Sequence, residues 1–256
     1  IKQIWIPSNH LLSAILFSCE LANVSTEKIQ KKIRKVPHGV DLNLFKPEPK
    51  PEKFTFICNK GFRNLYDRGG IQHAVKAFCS EFKPGEAKML VKLNPAYLVP
   101  QQALQYMLSQ MNLGDTFQDV KFGTERVLME MMGKVYNSGH VFVSPTGGEA
   151  FNMPVLEGMA CGLPAIATGF GGHLDYMNEE NGWLIDYDLR EVRNELLYEG
   201  ISWAKVRMGH LRALMRQAFN NFEQVREKGI KAIETANEWT WEKSAEKATK
   251  FLAELK

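Results

Sequence analysis

Residues 144–168 read SPTGGEAFNMPVLEGMACGLPAIAT, and this stretch decides the fold class. An apolar strand ends at Ser144, a loop with two glycines follows, and a helix is predicted over Pro154–Cys161. Asn152 is predicted as the N-cap of that helix, and a proline in the first helical turn loses no hydrogen bond. A second apolar run then predicts another strand. This order of strand, helix and strand is typical of a parallel sheet.

The same alternation extends outward from this stretch in both directions. Strands are predicted over Phe54–Cys58, Lys88–Leu93, Val120–Phe122, His140–Ser144, Pro164–Thr168 and Gly182–Ile185. Helices between them are predicted over Gly70–Phe82, Pro100–Met111, Arg126–Ser138 and Pro154–Cys161. The pattern predicts an α/β fold with a Rossmann-like, doubly wound parallel sheet. Ligands of such sheets bind beyond the carboxyl ends of the strands, so we expect function in the loops that follow them.

The chain on either side of this alternation has a different character. Before it, strands are predicted over Ile1–Ile6 and Ile33–Val36, and helices from Ser8 or Asn9 to about Ala22 and over Thr26–Lys32. Residues 46–53, KPEPKPEK, contain three prolines, which indicates a linker between residues 1–45 and 54–256. After it, a helical tail is predicted from about Glu191 onward, with breaks near Gly200 and near residues 238–240.

The composition excludes several classes of protein. Hydrophobic residues make up 45% of the chain and charged residues 24%, as in ordinary globular proteins. No apolar run approaches the roughly 18–20 residues of a membrane span. The basic run over residues 28–35 leaves a weaker association with a membrane surface open. The net charge of +3, from 32 basic and 29 acidic residues, is too balanced to predict a nucleic-acid partner.

No motif in the sequence predicts a metal ion. The four cysteines have no C-x-x-C spacing, and the six histidines have no ligand spacing. Residues 186–188 are literally D-x-D, but their context does not favour a metal site. The cysteine usage fits a reducing compartment, so a cytoplasmic location is predicted. His173, in a glycine-rich turn, is the one histidine that merits a test.

Two glutamates are the first candidate site residues. Glu149 lies in the loop before the predicted helix and Glu157 about one turn inside it, so their carboxylates are expected on the ligand side at different depths. Backbone N–H groups around Phe151–Val155 and the helix dipole would attract an anion such as a diphosphate. A carboxylate that accepts hydrogen bonds from two hydroxyls can hold a ribose or a hexose. The alternative is an ordinary turn with two solvated glutamates.

The second candidate is the loop at residues 60–70, KGFRNLYDRGG. Its cations are Lys60, Arg63 and Arg68, and the two arginines are five residues apart. Cations in a glycine-containing loop suit a diphosphate, whose charge grows when it leaves a sugar. The alternative is a solvated basic loop. Which of the three cations would contact the diphosphate is left open.

Together these segments resemble the family-4 retaining glycosyltransferases, which have the GT-B fold. Glu149 and Glu157 have the spacing of the E-x7-E signature of that family. Residues 36–45 (VPHGVDLNLF), 159–168 (MACGLPAIAT), 169–177 (GFGGHLDYM) and 181–185 (NGWLI) resemble further stretches of the family, in its order along the chain. Asp175 stands where the family usually has a glutamate. The resemblance covers about residues 1–190.

The resemblance implies a role for each site residue. Glu149 would be catalytic and contact the donor sugar near its 3-hydroxyl, and Glu157 would hold the ribose of the nucleotide. The implied nucleotide-sugar-binding residues are Arg63, Arg68, Gly69, Ala150, Phe151, Asn152, Met153, Pro154 and Glu157. The loop Phe122–Val127 would receive the nucleobase, with Thr124 and Val127 as candidates. No cofactor and no metal ion is implied.

The implied reaction is the retaining transfer of a hexose from a nucleotide-diphosphate sugar, such as a UDP- or GDP-hexose, to an acceptor hydroxyl. The acceptor (a glycan, a lipid or a protein) is left open. Residues 54–256 would be the donor-binding half of a GT-B enzyme, and residues 1–45 a remnant of the acceptor domain with the hinge. We therefore expect the chain to bind a nucleotide sugar but to transfer poorly, and the two strands of residues 1–45 to lack their sheet.

Two other classes of function stay open at this point. One is a different reaction on the same fold, by a nucleotide-sugar epimerase, a hydrolase or a sugar phosphorylase. The other is a non-catalytic module that binds a nucleotide sugar. Trp239 and Trp241 are expected to anchor the last helix, which in this family often packs against the other domain.

Overall fold

The computed structural model describes residues 1–62, 64, 67–93, 101–192 and 201–255. Its strands are β1 (Ile4–Ile6), β2 (Ile33–Lys35), β3 (Thr55–Lys60), β4 (Lys88–Leu93), β5 (Val120–Gly123), β6 (Val141–Ser144), β7 (Ala165–Thr168), β8 (Gly182–Ile185), β9 (Tyr187–Glu191) and β10 (Ser202–Val206). Its α-helices are α1 (Asn9–Leu21), α2 (Thr26–Gln30), α3 (Ile71–Glu81), α4 (Gln101–Ser109), α5 (Met129–Asn137), α6 (Met153–Ala160), α7 (Met208–Asn220), α8 (Phe222–Asn237) and α9 (Trp241–Ala253). Short 3-10 turns lie at Asp115–Asp119 and Gly172–Asp175.

Six strands form one parallel sheet in the order β5-β4-β3-β6-β7-β8. The predicted α/β fold with a Rossmann-like, doubly wound sheet is therefore confirmed. The chain runs outward from β3 to β5 on one side and from β6 to β8 on the other. The strand order thus reverses between β3 and β6, and the crevice beyond their carboxyl ends is the usual ligand site of such sheets.

The core lies on both faces of this sheet because its strands are buried on both sides. Phe56, Val143 and Ile166 face one layer, which includes α3 and α7. Ile57 and Phe142 face the other layer, which includes α6 and α8. The near-continuous apolar runs of these strands follow from this double burial.

β1 and β2 form a small sheet that is separate from the six-stranded sheet. β1 and β2 pair in parallel, with Ile4 opposite Ile33, and α1 and α2 connect them. The expectation that these two strands lack their sheet is wrong in part: they pair with each other, although in the described residues neither pairs with a further strand. Ser8 is the N-cap of α1, and its hydroxyl accepts a hydrogen bond from the N–H of Leu11.

The helical tail predicted from about Glu191 is wrong in its first part. β9 and β10 pair as antiparallel strands, and in the described part of the tail the first helix begins at Met208. The N–H of Ala204 on β10 donates to the carbonyl of Gly147, so this pair is fixed by a distant loop. A prediction from local sequence cannot include that contact, because it joins residues far apart in the chain. The predicted break near residue 200 lies outside the described residues.

The later breaks in the tail are clearer. α8 ends at Asn237 and α9 begins at Trp241 with Thr240 as N-cap, which confirms the break predicted at residues 238–240. A further break at Asn221, whose side chain caps α8, was not predicted. No helix in the described part of the chain combines the length and the apolar character that crossing a membrane requires.

The last helix packs against residues 1–45. The side chain of Gln3 donates to the carbonyl of Phe251, and Arg34 pairs with Glu254 at 2.9 Å. Gly39 lies so close to the backbone of Thr240 that a Cβ there would clash with it. Residues 46–53 form no helix or strand, but Lys50 anchors them by donating to Asn137 and to the carbonyl of Cys161.

Candidate functional site

The candidate site lies at the carboxyl ends of β3 and β6, where the strand order reverses. Lys60 is the last residue of β3, and the loop with Glu149 follows β6. The two loops are joined directly, because the N–H of Gly147 donates to the carbonyl of Arg68 at 2.7 Å. Gly70 has φ of +81°, and a Cβ there would clash with the carbonyl of Pro145. Glycine at this position therefore allows the loops to approach closely.

Glu149 lies between two cations. Its Oε1 accepts a hydrogen bond from the Lys60 ammonium at 3.0 Å, and its Oε2 lies 3.7 Å from an Arg68 nitrogen. The side chain is only 20% exposed. Burial by itself raises the pKa of Glu149, but the charges of Lys60 and Arg68 lower it below its usual value. Glu149 is therefore an ionised acceptor of hydrogen bonds at neutral pH.

Asn152 is the N-cap residue of α6, as predicted, but its side chain makes no capping hydrogen bond. The residue is buried in the left-handed region, with φ of 69° and ψ of 57°. Its Oδ1 accepts from Lys60 at 2.5 Å, and its Nδ2 donates to the hydroxyl of Ser144 at 3.1 Å. The side chain therefore connects β3 with β6 instead of the helix terminus. The proline predicted in the first turn of α6 is confirmed.

Glu157 has a different environment. Its Oε2 accepts a hydrogen bond from the hydroxyl of Tyr136 at 2.5 Å, and that hydroxyl accepts from Asn59 at 2.9 Å. Burial raises the pKa of Glu157, and the hydrogen bond from Tyr136 offsets only part of that effect. The pKa of Tyr136 lies well above its usual value, first through burial and then through the charge of Glu157. Tyr136 is therefore a permanent hydrogen-bond donor to this carboxylate.

The predicted cations of the basic loop separate in the structure. Lys60 is 8% exposed and engaged with Glu149 and Asn152, whereas Arg68 is 37% exposed. Arg68 also donates to the carbonyl of Gly148. The N–H of Gly69 donates to the side chain of Asp67 at 2.8 Å. Arg63, the third predicted cation, lies outside the described residues.

The backbone of residues 150–154 is held by neighbouring hydroxyl groups. The carbonyl of Ala150 accepts from Ser8 at 2.5 Å, and the carbonyls of Phe151 and Asn152 accept from the hydroxyl of Tyr176. The ring of Phe151 is buried in the core, and Met153 and Pro154 open α6, half-buried. Three carbonyl groups of this segment are therefore engaged by the protein, and the helix dipole at the N-terminus of α6 favours an anion beside it.

His173 lies under this site. Its side chain is completely buried, and Nε2 donates to the carbonyl of Thr168 at 2.7 Å because a carbonyl oxygen can only accept. Nδ1 has no hydrogen-bond partner in the described part of the chain. Burial lowers the pKa of His173 to about 4, so the ring is neutral at physiological pH. The structure gives it no contact with solvent.

The predicted nucleobase residues lie on the loop between β5 and α5. Thr124 is exposed and Val127 is half-buried. The ammonium of Lys92, from the end of β4, supports this loop by donating to the carbonyl of Glu125 at 2.7 Å. α5 begins at Met129, later than predicted, so the loop is longer than the sequence suggested.

The D-x-D sequence is engaged in local contacts. Asp188 forms an ion pair with Arg207 at 2.7 Å, and the N–H of Asp186 donates to His210 Nδ1 at 3.0 Å. Within the described ranges, no group of three or more His, Cys, Asp or Glu side chains is arranged to hold a metal ion.

Sequence reasoning missed three residues that support the site, namely Asn59, Tyr136 and Ser8. Asn59 could have been noticed, because it is a polar residue near the carboxyl end of an apolar strand. Tyr136 and Ser8 act across long distances in sequence, on Glu157 and on Ala150, and no local pattern marks them.

Comparison with known proteins places the chain in a family. The sequence model of the family described as "Glycosyl transferases group 1" matches residues 70–198, half of the chain. A probable sucrose-phosphate synthase of Thermosipho melanesiensis is 24% identical over 227 residues, which are 85% of this chain and 46% of that protein. A sucrose synthase of Solanum tuberosum is 29% identical over 133 residues, 51% of this chain and 15% of that protein.

Solved structures share the fold. The sucrose-phosphate synthase from Thermosynechococcus elongatus superposes with a TM-score of 0.70 at 19% identity, over 98% of this chain and 57% of that chain. HepE of Anabaena, solved in complex with UDP, gives a TM-score of 0.69 at 16% identity, over 99% of this chain and 64% of that chain. The chain thus spans less than two thirds of each of these relatives.

The sequence match begins at Gly70, the last residue of the basic loop, and includes Glu149 and Glu157. The resemblance inferred from the E-x7-E spacing and the GT-B fold agree with it. The chain belongs to the group 1 glycosyltransferase family.

Proposed function

We propose that this chain binds a nucleotide-diphosphate sugar and supplies the donor-binding half of a retaining glycosyltransferase. The observation that carries the proposal is the pair of buried carboxylates, Glu149 and Glu157, beside the switch point of the sheet. A ligand in that crevice would have its diphosphate near the N-terminus of α6, whose dipole favours negative charge. Relatives of the same fold have been solved with UDP and UDP-glucose, which supports this donor class.

Each of three residues would contact a different part of the nucleotide sugar. Glu149, ionised between Lys60 and Arg68, would accept a hydrogen bond from a hydroxyl of the hexose. Glu157 would accept from the ribose through Oε1, because its Oε2 already accepts from Tyr136. Arg68 would contact the diphosphate and stabilise the charge that develops when the sugar leaves.

The proposed reaction keeps the configuration at the anomeric carbon. The bond from that carbon to the diphosphate oxygen breaks, and the acceptor hydroxyl attacks from the same face. The proton of the acceptor passes to the leaving diphosphate, so no protein base and no metal ion is required. UDP- or GDP-hexoses are the proposed donors, and the acceptor is a hydroxyl of a glycan, a lipid or a protein. The proposed location is the cytoplasm.

Calorimetric titration tests the proposal. The chain is titrated, without metal, with UDP, GDP and ADP and with their glucose or mannose forms. We expect saturable binding for one base, and at least tenfold weaker binding for Arg68→Ala. Lys121→Ala, a change of an exposed residue on the edge strand β5, is the matched control. If none of these nucleotides or nucleotide sugars binds, the proposal is contradicted. If Arg68→Ala binds with unchanged affinity, the proposed role of the basic loop is contradicted.

A further inference from the structure

Among the described residues, Lys60 is the more deeply buried of the two cations beside Glu149. Its ammonium donates to Glu149 Oε1 at 3.0 Å and to Asn152 Oδ1 at 2.5 Å. The two acceptors are three residues apart on the loop after β6, while Lys60 itself ends β3. One ammonium therefore joins a carboxylate and an amide across the switch point of the sheet.

The partners of Lys60 are themselves fixed. Asn152 is held at its other end by Ser144, and its backbone lies in the left-handed region, which asparagine adopts more readily than most residues other than glycine. A buried ammonium needs acceptors because burial without them costs several kcal/mol. Lys60 and the loop therefore hold each other in place.

Building on the proposed donor site, we propose that Lys60 is a positioning residue for donor binding. Its ammonium keeps the Glu149 carboxylate charged. By contacting both Glu149 and Asn152 it also orients that carboxylate, so that Glu149 Oε2 accepts a hydrogen bond from a sugar hydroxyl. These two contacts use two of the three N–H donors of Lys60, whose side chain is only 8% exposed. We therefore assign the diphosphate contact to Arg68, which is 37% exposed and lies 3.7 Å from Oε2.

The groups that face Glu149 support this assignment. Lys60 on β3 and Arg68 on the loop after it lower the pKa of Glu149 against the effect of burial. His173, on the 3-10 turn, is held neutral because burial lowers its pKa to about 4. At Tyr176, which directly follows that turn, burial and then the charges of Glu149 and Glu157 raise the pKa well above its usual value, so this side chain is neutral too. Lys60 thus supplies the closest positive charge among the described residues.

The first test measures the Glu149 carboxyl group directly. Carbon-13 spectra of the glutamate-labelled chain are recorded against pH, with Glu149→Gln used to assign the resonance. In Lys60→Met we expect the pKa of Glu149 to rise by about one unit or more, and in Lys60→Arg to stay low. A purely structural role would not move this value. If Lys60→Met does not fold, Lys60→Gln keeps a donor for Asn152 without the charge and serves for the same titration.

The matched control is Lys228→Met. Lys228 is equally buried, and its ammonium donates to the backbone carbonyls of Glu179 and Gly182 at the amino edge of the sheet. We expect this change to leave the pKa of Glu149 where it is. An unchanged pKa of Glu149 in Lys60→Met as well would overturn the proposal.

The second test is calorimetric titration with the nucleotide sugar that binds the unaltered chain. We expect Lys60→Met to weaken binding at least tenfold. Binding is expected to be lost as the pH falls and Glu149 is protonated, and in Lys60→Met this loss should occur at a higher pH because the pKa of Glu149 is higher. Full affinity in Lys60→Met would overturn the positioning role. If the unaltered chain binds no nucleotide sugar, the proposed function fails, while the carboxyl titration still decides whether Lys60 controls Glu149.

Discussion

Glu149 and Glu157 lie eight residues apart and are both largely buried, yet their surroundings are opposite in kind. Glu149 is compensated by the charges of Lys60 and Arg68, whereas Glu157 is compensated by the hydroxyl of Tyr136. The pKa of the first is lowered and that of the second is raised, because in the second no charged group outweighs burial. The spacing of a motif therefore fixes where two carboxylates lie, while distant residues fix what each of them does.

The largest expected effect separates the two glutamates by stability. Glu149→Gln leaves the buried ammonium of Lys60 without its counter-charge, so we expect a loss of about 3 kcal/mol in the free energy of unfolding at pH 7. Glu157→Gln keeps an oxygen acceptor for Tyr136, and we expect a change of less than about 1 kcal/mol. Urea denaturation measures both. Equal losses in the two variants would break the comparison.

Asn152 tests the loop that carries Glu149. Asn152→Ala loses the hydrogen bonds to Lys60 and Ser144 and keeps a Cβ in the left-handed region, so we expect a loss of about 2 kcal/mol. Asn152→Gly removes the steric cost of that backbone and should lose less. The free energies of unfolding are compared in urea, and a larger loss in Asn152→Gly than in Asn152→Ala would contradict this account of the residue.

Tyr136 tests the environment of Glu157. Tyr136→Phe removes one hydroxyl, and we expect a loss of about 1–2 kcal/mol in the free energy of unfolding. The pKa of Glu157 should rise further, because the hydrogen bond from Tyr136 lowers it. The pKa of Glu149 should stay unchanged. A carboxyl titration by NMR reads both values, and a parallel rise of both would show that the two sites are not independent.

The pH dependence of stability carries the smallest expected effect. The pKa of Glu149 is lower in the folded chain, so its contribution is present above the pKa of an unfolded glutamate and is lost as the pH falls through the folded value. The pKa of Glu157 is higher in the folded chain, so its contribution is present at low pH and is lost as the pH rises through the folded value.

Unfolding experiments at several pH values check these two signs. The stability difference between the unaltered chain and Glu149→Gln should shrink as the pH falls from 7 to 3. Over the same interval the unaltered chain should gain stability relative to Glu157→Gln. Two differences that change in the same direction would contradict the assigned environments.

Much of the fold was predictable from the sequence, and part of the site was not. The strands β3 to β8 pair across long distances in sequence, yet the alternation of their apolar runs with amphipathic helices can be read directly from the sequence. The parallel sheet could therefore be predicted. The pairing of β9 with β10 could not, because it depends on a contact between Ala204 and Gly147.

The site shows the same division. Glu149, Glu157 and the basic loop could be found from spacing and residue type alone. The hydrogen bonds from Lys60 to Glu149 and Asn152 could not be predicted, because Lys60 lies about 90 positions away from both in sequence. Asn152 has the residue type of an N-cap, but a lysine from another strand competes for its side chain. A local motif thus predicts the candidates, and only the packed structure assigns their partners.

The most direct test of the account observes both carboxylates while a nucleotide sugar binds. The chain is labelled with carbon-13 at its glutamate carboxyl groups, Glu149→Gln and Glu157→Gln assign the two resonances, and UDP-glucose, GDP-mannose and ADP-glucose are added in turn. The account predicts that one of these sugars shifts both resonances along a single saturation curve. If neither resonance moves with any of them, these two glutamates do not form a donor site.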